Sequence, residues 1–173
     1  TGRAEILAVL ECWLRPAVAR TEPADLATHD PWLAELAAGK HAAHEPALVA
    51  LRKAPLFSTV AGPALAALAE RAAVRALDGV VFAEHAPGDS MYVVMMGALL
   101  ARRPPAPERR IETGGVVGEL AVLTKAPRAA TVVTDGAATV LEIDRETFAA
   151  ASRRAPELVL GLSATLAGWL APN

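Results

Sequence analysis

Short strand-like runs, divided by turn residues, are the feature that most limits how this chain can fold. Between residues 74 and 143 the turn signals Asp78-Gly79, Pro87-Gly88-Asp89 and Asp135-Gly136 separate runs rich in valine, isoleucine and threonine. Strands at intervals of about 8–12 residues are typical of an all-β sandwich or barrel. The expected strands are 74–77, 80–82, 91–96, 98–102, 110–112, 130–133 and 139–143. We therefore predict a β-barrel over about 74–143.

Helical patterns lie on both sides of this region. Upstream, prolines divide segments of helical spacing at 4–14, 32–38, 46–53 and 62–73. Downstream, Asp144 is a predicted N-cap, and Pro156 begins an amphipathic segment that contains Trp169. The prediction is an α+β chain. It has a helical segment at 1–53, similar to the end of a helical-repeat array, and a domain at 54–173 with C-terminal helices at about 144–171.

Composition excludes several classes of function. The net charge of −2 and the pI near 6.1 give no basic surface for nucleic acid. The longest strongly apolar run, 91–101, is shorter than the roughly 20 residues of a membrane-spanning helix. A single cysteine, Cys12, forms no internal disulfide and favours a reducing compartment. No signal peptide is visible, and a first residue of Thr1 suggests an excerpt. We expect a cytoplasmic piece, from a protein that is itself either free or membrane-attached.

The stretch 114–131 carries the candidate chemistry. Gly118 allows a sharp turn before Glu119, a single helical turn follows, and Pro127 stops it immediately before Arg128. An arginine offers a planar, permanently charged fork that suits two phosphate oxygens. An ionised glutamate only accepts hydrogen bonds, which suits a hydroxyl donor. The stretch therefore predicts a site for a small ligand that carries a phosphate and a hydroxyl group.

These residues resemble the phosphate-binding cassette of the cyclic-nucleotide-binding domain family. The cassette pattern is present as Gly118-Glu119-Leu120-Ala121 and Pro127-Arg128-Ala129-Ala130-Thr131. Other family signatures recur at Leu56-Phe57, at Pro87-Gly88-Asp89 and over 92–97, so the resemblance covers about 50–170. It implies a β-barrel of jelly-roll type that binds cAMP or cGMP without chemistry on the ligand, as regulatory subunits of protein kinase A and bacterial sensor domains do.

The resemblance also implies roles for individual residues. Arg128 is expected to bind the cyclic phosphate, Glu119 the ribose 2′-hydroxyl, and Trp169 to be a candidate lid over the base. In the family a threonine or serine after the arginine accompanies cGMP, so Ala129 favours cAMP. The remaining ligand-binding residues implied are Gly118, Leu120, Ala121 and Ala130.

Alternatives remain open. In one, Glu119 and Arg128 pair with each other in a ligand-free scaffold for protein–protein interaction. In another the fold is a cupin-type metalloenzyme, which the scattered His41, His44 and His85 disfavour because metal ligation needs convergent groups. We expect no enzyme activity, no metal and no cofactor. Met91, Met95 and Met96 are expected in the core. We expect the effector on the N-terminal side, because no helix-turn-helix follows the strands.

Overall fold

A computed structural model describes residues 42–58, 60–156 and 158–159. The chain divides into two compact units, Thr1–Glu45 and Pro46–Asn173. The helices expected at 4–14 and 32–38 lie outside the described residues, as do Trp169 and all but a fragment of the last helix. The proposed division at 53/54 therefore stays a prediction.

The second unit combines eight strands with helices. In chain order the strands are β1 Ala73–Leu77, β2 Val80–Phe82, β3 Ser90–Met96, β4 Leu99–Arg102, β5 Arg109–Ile111, β6 Val116–Val117, β7 Thr131–Thr134 and β8 Ala138–Asp144. The helices are α1 Glu45–Lys53, whose first residue belongs to the first unit, α2 Gly62–Ala69, α3 Glu119–Thr124 and α4 Arg145–Arg154. Single 3₁₀ turns lie at Ala42–His44 and Pro55–Phe57.

The strands form two antiparallel four-stranded sheets, ordered β1-β8-β3-β6 and β2-β7-β4-β5. Apart from the β4–β5 pair, which lies in one sheet, successive strands alternate between the two sheets, as in a jelly roll. The predicted α+β jelly-roll class is confirmed. Side chains from both sheets share one buried apolar cluster, which consists of Val94, Leu99, Ile111, Val117, Val132, Ala138 and Val140.

The two ends of the β region join helices in different ways. Asp144 caps α4 as predicted, because its Oδ1 accepts a hydrogen bond from the backbone N–H of Thr147 at 2.6 Å. At the other end, α2 stops at Ala69 instead of about Ala73. Ala73 is taken by β1, where it pairs with Glu142. Because β1 pairs with β8, helix α2 is shorter than the local sequence pattern predicts.

Two other expectations about the β region are corrected. The pair Val116–Val117 is a strand, β6, which pairs with Tyr92 and Val93 of β3. The flanking glycines had suggested only a turn. The methionines do not all lie in the core, since Met91 is fully buried whereas Met96 is 68% exposed. Met96 is the last residue of β3, next to the left-handed Gly97, where the strand leaves the core.

Candidate functional site

Gly118 brings the chain from β6 into α3. Its φ of +81° lies in the left-handed region, which glycine adopts without strain. A Cβ atom at this position would lie 2.3 Å from Nη1 of Arg128 and 2.9 Å from the carbonyl oxygen of Ser90. Glycine is thus required twice, by its backbone conformation and by the close approach of the arginine side chain.

Arg128 is the buried centre of the site, with only 5% of its surface exposed. Its backbone is fixed on both sides: its N–H donates to Ala86 O, and its carbonyl accepts from His85 N–H, each at 2.9 Å. Its Nη1 donates to Ser90 O at 2.6 Å and to Gly118 O at 3.3 Å. These contacts direct the side chain inward from the loop before β7.

The charge of Arg128 is poorly compensated within the described residues. Burial lowers the pKa of its guanidinium, although an arginine stays protonated at neutral pH. The Nε is buried without a hydrogen-bond partner, and the partners of Nη1 are neutral carbonyl oxygens. Buried charges are normally paired with an opposite charge. A nearby bound anion would supply that charge.

Glu119, the first residue of α3, lies at the same pocket. Burial raises the pKa of its carboxyl above the ordinary value of 4.5, while its own backbone N–H, Arg109 and Arg128 act in the opposite direction. No ion pair joins Glu119 to Arg128 in the part of the chain that the structure describes. The mutual pairing considered for a ligand-free scaffold is therefore not the arrangement present.

The two charged groups line a common cavity of about 100 Å³. All seven residues proposed for ligand binding also line it: Gly118, Glu119, Leu120, Ala121, Arg128, Ala129 and Ala130. Sequence reasoning missed the other lining residues, which are Phe82, Ala101, Arg109, Val117 and Val132. Four of these five lie on β2, β4, β5 and β7, so only the pairing of distant strands assembles them beside the cassette.

Arg145, the first residue of α4, was also missed. Its Nη2 donates to Ala121 O and Gly88 O at 2.8 Å each, and its Nη1 donates to Val122 O at 3.0 Å. Its backbone N–H donates to Asp89 O at 2.6 Å. The start of α4 is thus joined to α3 and to the turn before β3. The available signal was a basic residue directly after the Asp144 cap.

Among the described residues, the other candidate groups do not form a metal site. His85 is exposed, has a φ of +65°, and is not part of any metal-binding group among the described residues. The described helices include none with the length and apolar character needed to cross a membrane.

Comparison with protein families agrees with the predicted resemblance. Residues 77–154 match the family model described as "Cyclic nucleotide-binding domain", a span that includes Glu119 and Arg128. The resemblance predicted from the cassette is therefore confirmed over this span. No curated protein sequence matches the chain.

Solved structures with the same fold come from several regulators. The N-terminal domain of a transcriptional regulator from Streptomyces coelicolor is 27% identical with a TM-score of 0.60, over 70% of this chain and 90% of that one. Thermus thermophilus Catabolite Activator Protein is 28% identical with a TM-score of 0.58, over 68% of this chain and 58% of that one.

The regulatory domain of Toxoplasma gondii PKA, crystallised with cAMP, is 22% identical with a TM-score of 0.59, over 72% of this chain and 49% of that one. At 22% identity, the similarity to this third structure shows only that the two proteins share a fold. This chain thus covers about half of the last two relatives. The bacterial neighbours suggest a bacterial origin.

Proposed function

We propose that this cyclic nucleotide-binding domain is a sensor that binds cAMP in preference to cGMP and reports occupancy to an attached effector. One observation carries the proposal: the buried and incompletely paired Arg128 lines the same cavity as Glu119. A positive donor and a hydroxyl acceptor beside one small cavity match the two polar ends of a ribose cyclic phosphate.

The phosphate end of the ligand is assigned to Arg128. The cyclic phosphate carries one negative charge, which one guanidinium balances. Nη1 is already committed to Ser90 O and Gly118 O, so Nη2 and the unpartnered Nε are the donors left for phosphate oxygens. The hydroxyl end is assigned to Glu119, whose ionised carboxylate accepts from the 2′-OH. The cavity of about 100 Å³ is smaller than the roughly 300–1,000 Å³ of ligand pockets, so binding widens it.

Base preference rests on Ala129. It lines the cavity directly after Arg128, and it has no hydroxyl group to contact a guanine amino group. One neutral hydrogen bond contributes about 1 kcal/mol, or about fivefold in Kd. Ala129→Thr should therefore shift the cGMP-to-cAMP affinity ratio by about fivefold toward cGMP. An unaltered ratio would refute the selectivity argument.

Occupancy is read through α4 in this proposal. The side chain and the backbone N–H of Arg145 connect the start of α4 to α3 and to the turn that contains Gly88 and Asp89. A ligand that widens the cavity moves these acceptors and shifts the helix only as far as its affinity differs between the two states. We assign the effector to the N-terminal side and the chain to the cytoplasm. It has no enzyme activity, no nucleic-acid partner and no direct membrane insertion.

Thermal unfolding with added nucleotide tests this function. Binding to the folded state alone stabilises by about 2.7 kcal/mol at a ligand concentration of about 100 times Kd. For a domain of this size that corresponds to a Tm increase of about 5–11 °C. cAMP should produce the increase, and 5′-AMP, which lacks the cyclic phosphate, serves as the control. A Tm unchanged by either cyclic nucleotide would favour the scaffold alternative.

A further inference from the structure

The guanidinium of Arg128 lies against an aromatic ring that the cassette does not contain. Its Cζ is 4.1 Å from the centroid of the Phe82 ring on β2 and 6.0 Å from that of Tyr92 on β3. The two rings stack on each other, with centroids 6.1 Å apart and planes 28° apart. The arginine that faces the cavity is therefore backed by a pair of aromatic side chains from both sheets.

The ring contact leaves the hydrogen-bonding edge of the arginine available. Guanidinium N–H groups point outward in the plane of the group, whereas a cation–π contact uses its face. Nη1 is held in that plane by Ser90 O. The contact with Phe82 and the hydrogen bond to Ser90 O together restrict the positions that Nε and Nη2 can adopt.

Phe82 also offsets the cost of keeping the charge buried. Burial lowers the pKa of the Arg128 guanidinium, and the nearby Tyr92, Asp89 and Glu119 offset this effect only in part. The negative face of an aromatic ring stabilises a nearby cation most strongly where water is excluded. At 5% exposure this condition is met, whereas an aliphatic side chain at residue 82 would fill the space without that stabilisation.

Two glycines next to Arg128 also restrict the position of its guanidinium. Cβ atoms at Gly88 and Gly118 would lie 2.3 Å from Nε and Nη1 respectively. These two backbone segments and the ring together enclose the guanidinium. Its position is thus determined before any ligand arrives.

We infer that Phe82 is a positioning residue for the phosphate-binding arginine, so that cyclic nucleotide affinity depends on an aromatic ring at residue 82. The inference rests on the proposed assignment of Arg128 to the cyclic phosphate. It assigns a function to a strand residue that is distant from the cassette in sequence and is not part of it.

A double-mutant cycle in the 173-residue chain tests this role. The Kd of cAMP is measured by calorimetry for the unmodified protein, Phe82→Leu, Arg128→Lys and the double variant. Phe82→Leu should weaken binding by about 5- to 30-fold, the range expected of a desolvated cation–π contact. In the Arg128→Lys background, which lacks the planar fork, the same change should weaken it by less than about twofold. Phe82→Tyr, which keeps the ring, should bind within about twofold of the unmodified protein.

Controls separate positioning from general damage. Phe57→Leu makes the same side-chain change at a fully buried residue that does not line the cavity, and it should lower Tm without altering the Kd. If Phe82→Leu does not fold, Phe82→Met replaces it in the cycle with the same expected coupling.

Three outcomes would overturn the inference. An unchanged Kd in the folded Phe82→Leu or Phe82→Met variant would show that the ring is dispensable. An equal loss of affinity in both arginine backgrounds would show that the ring contacts the nucleotide instead. No binding by the unmodified protein would overturn the proposed function, and this inference with it.

Discussion

A substitution at Gly88 should displace the Arg128 side chain with little effect on the stability of the fold. A Cβ atom at this residue would lie 2.3 Å from Nε of Arg128, 2.5 Å from Cζ and 2.8 Å from Cδ. Ordinary van der Waals contact begins at 3.4 Å, so the guanidinium must retreat by about 1 Å. The backbone itself need not change, because the φ of Gly88 lies outside the left-handed region.

Gly88→Ala should therefore weaken cAMP binding much more than it changes folding. Hydrogen bonds to charged groups contribute about 1.5–3 kcal/mol, so loss of the aligned phosphate contact should raise Kd by about 10- to 150-fold. Replacing glycine by alanine restricts the unfolded chain and stabilises the folded state by about 0.4–1 kcal/mol. This gain offsets the displaced side chain, and we expect a change in unfolding free energy of less than about 1 kcal/mol.

Gly136→Ala is the matched control. Gly136 has a φ of +73° and nothing within 4 Å of an added Cβ. This variant should lose about 1–2 kcal/mol of stability from the left-handed backbone and keep the Kd of the unmodified protein. Calorimetric titration with cAMP and urea unfolding of both variants measure the two effects. Unaltered binding by Gly88→Ala would refute the reasoning, as would losses of affinity that simply follow losses of stability.

Three further predictions concern groups around the cassette. Burial raises the pKa of Glu119 above the ordinary value of 4.5. The contribution of its protonated carboxyl to the free energy of unfolding is therefore complete below pH 4.5 and is lost as the pH rises through the raised pKa. Glu119→Gln should thus raise the Tm of the ligand-free protein at neutral pH. The variant should bind cAMP more weakly, and its Kd should not change with pH over the range in which the unmodified protein loses affinity on acidification. If the Kd values of both proteins changed with pH in parallel, this prediction would be wrong. Lys125, which ends α3 with a φ of +60°, should tolerate glycine with a gain of about 0.5–1 kcal/mol in urea unfolding and an unchanged Kd, and a loss of stability would contradict the backbone argument. Arg145→Met should lower the free energy of unfolding in urea by about 1.5–3 kcal/mol, because Arg145 donates to three carbonyl oxygens. Arg153→Met, at an exposed residue of the same helix, should change it by less than about 0.5 kcal/mol. Equal effects of the two substitutions would contradict the role assigned to Arg145.

Features that depend on neighbouring residues in the chain were predictable from the sequence. Glycine and proline turns bound the longer strands within a residue or two, and Asp144 caps α4 through the nearby Thr147 N–H. Gly118 makes the sharp turn that was predicted for it, through a left-handed backbone conformation. Each depends on backbone preferences that operate within a few residues.

Features that depend on strand pairing were not predictable in the same way. β6 is two residues long and exists because it pairs with β3. Met96 is exposed and α2 stops at Ala69 because of where β3 ends and where β1 pairs. The contact of Phe82 with Arg128 joins β2 to a loop 46 residues further along the chain. Local patterns carry no information about such contacts until the register of both sheets is known.

The central claim is that Arg128 binds the phosphate of a cyclic nucleotide, and calorimetric titration of cAMP into the unmodified protein and Arg128→Ala tests it most directly. We expect one saturable site in the unmodified protein and a Kd about 10- to 150-fold higher in the variant. Folding of the variant is checked by its circular dichroism spectrum. Equal Kd values for the two proteins, or no binding by the unmodified protein, would contradict it.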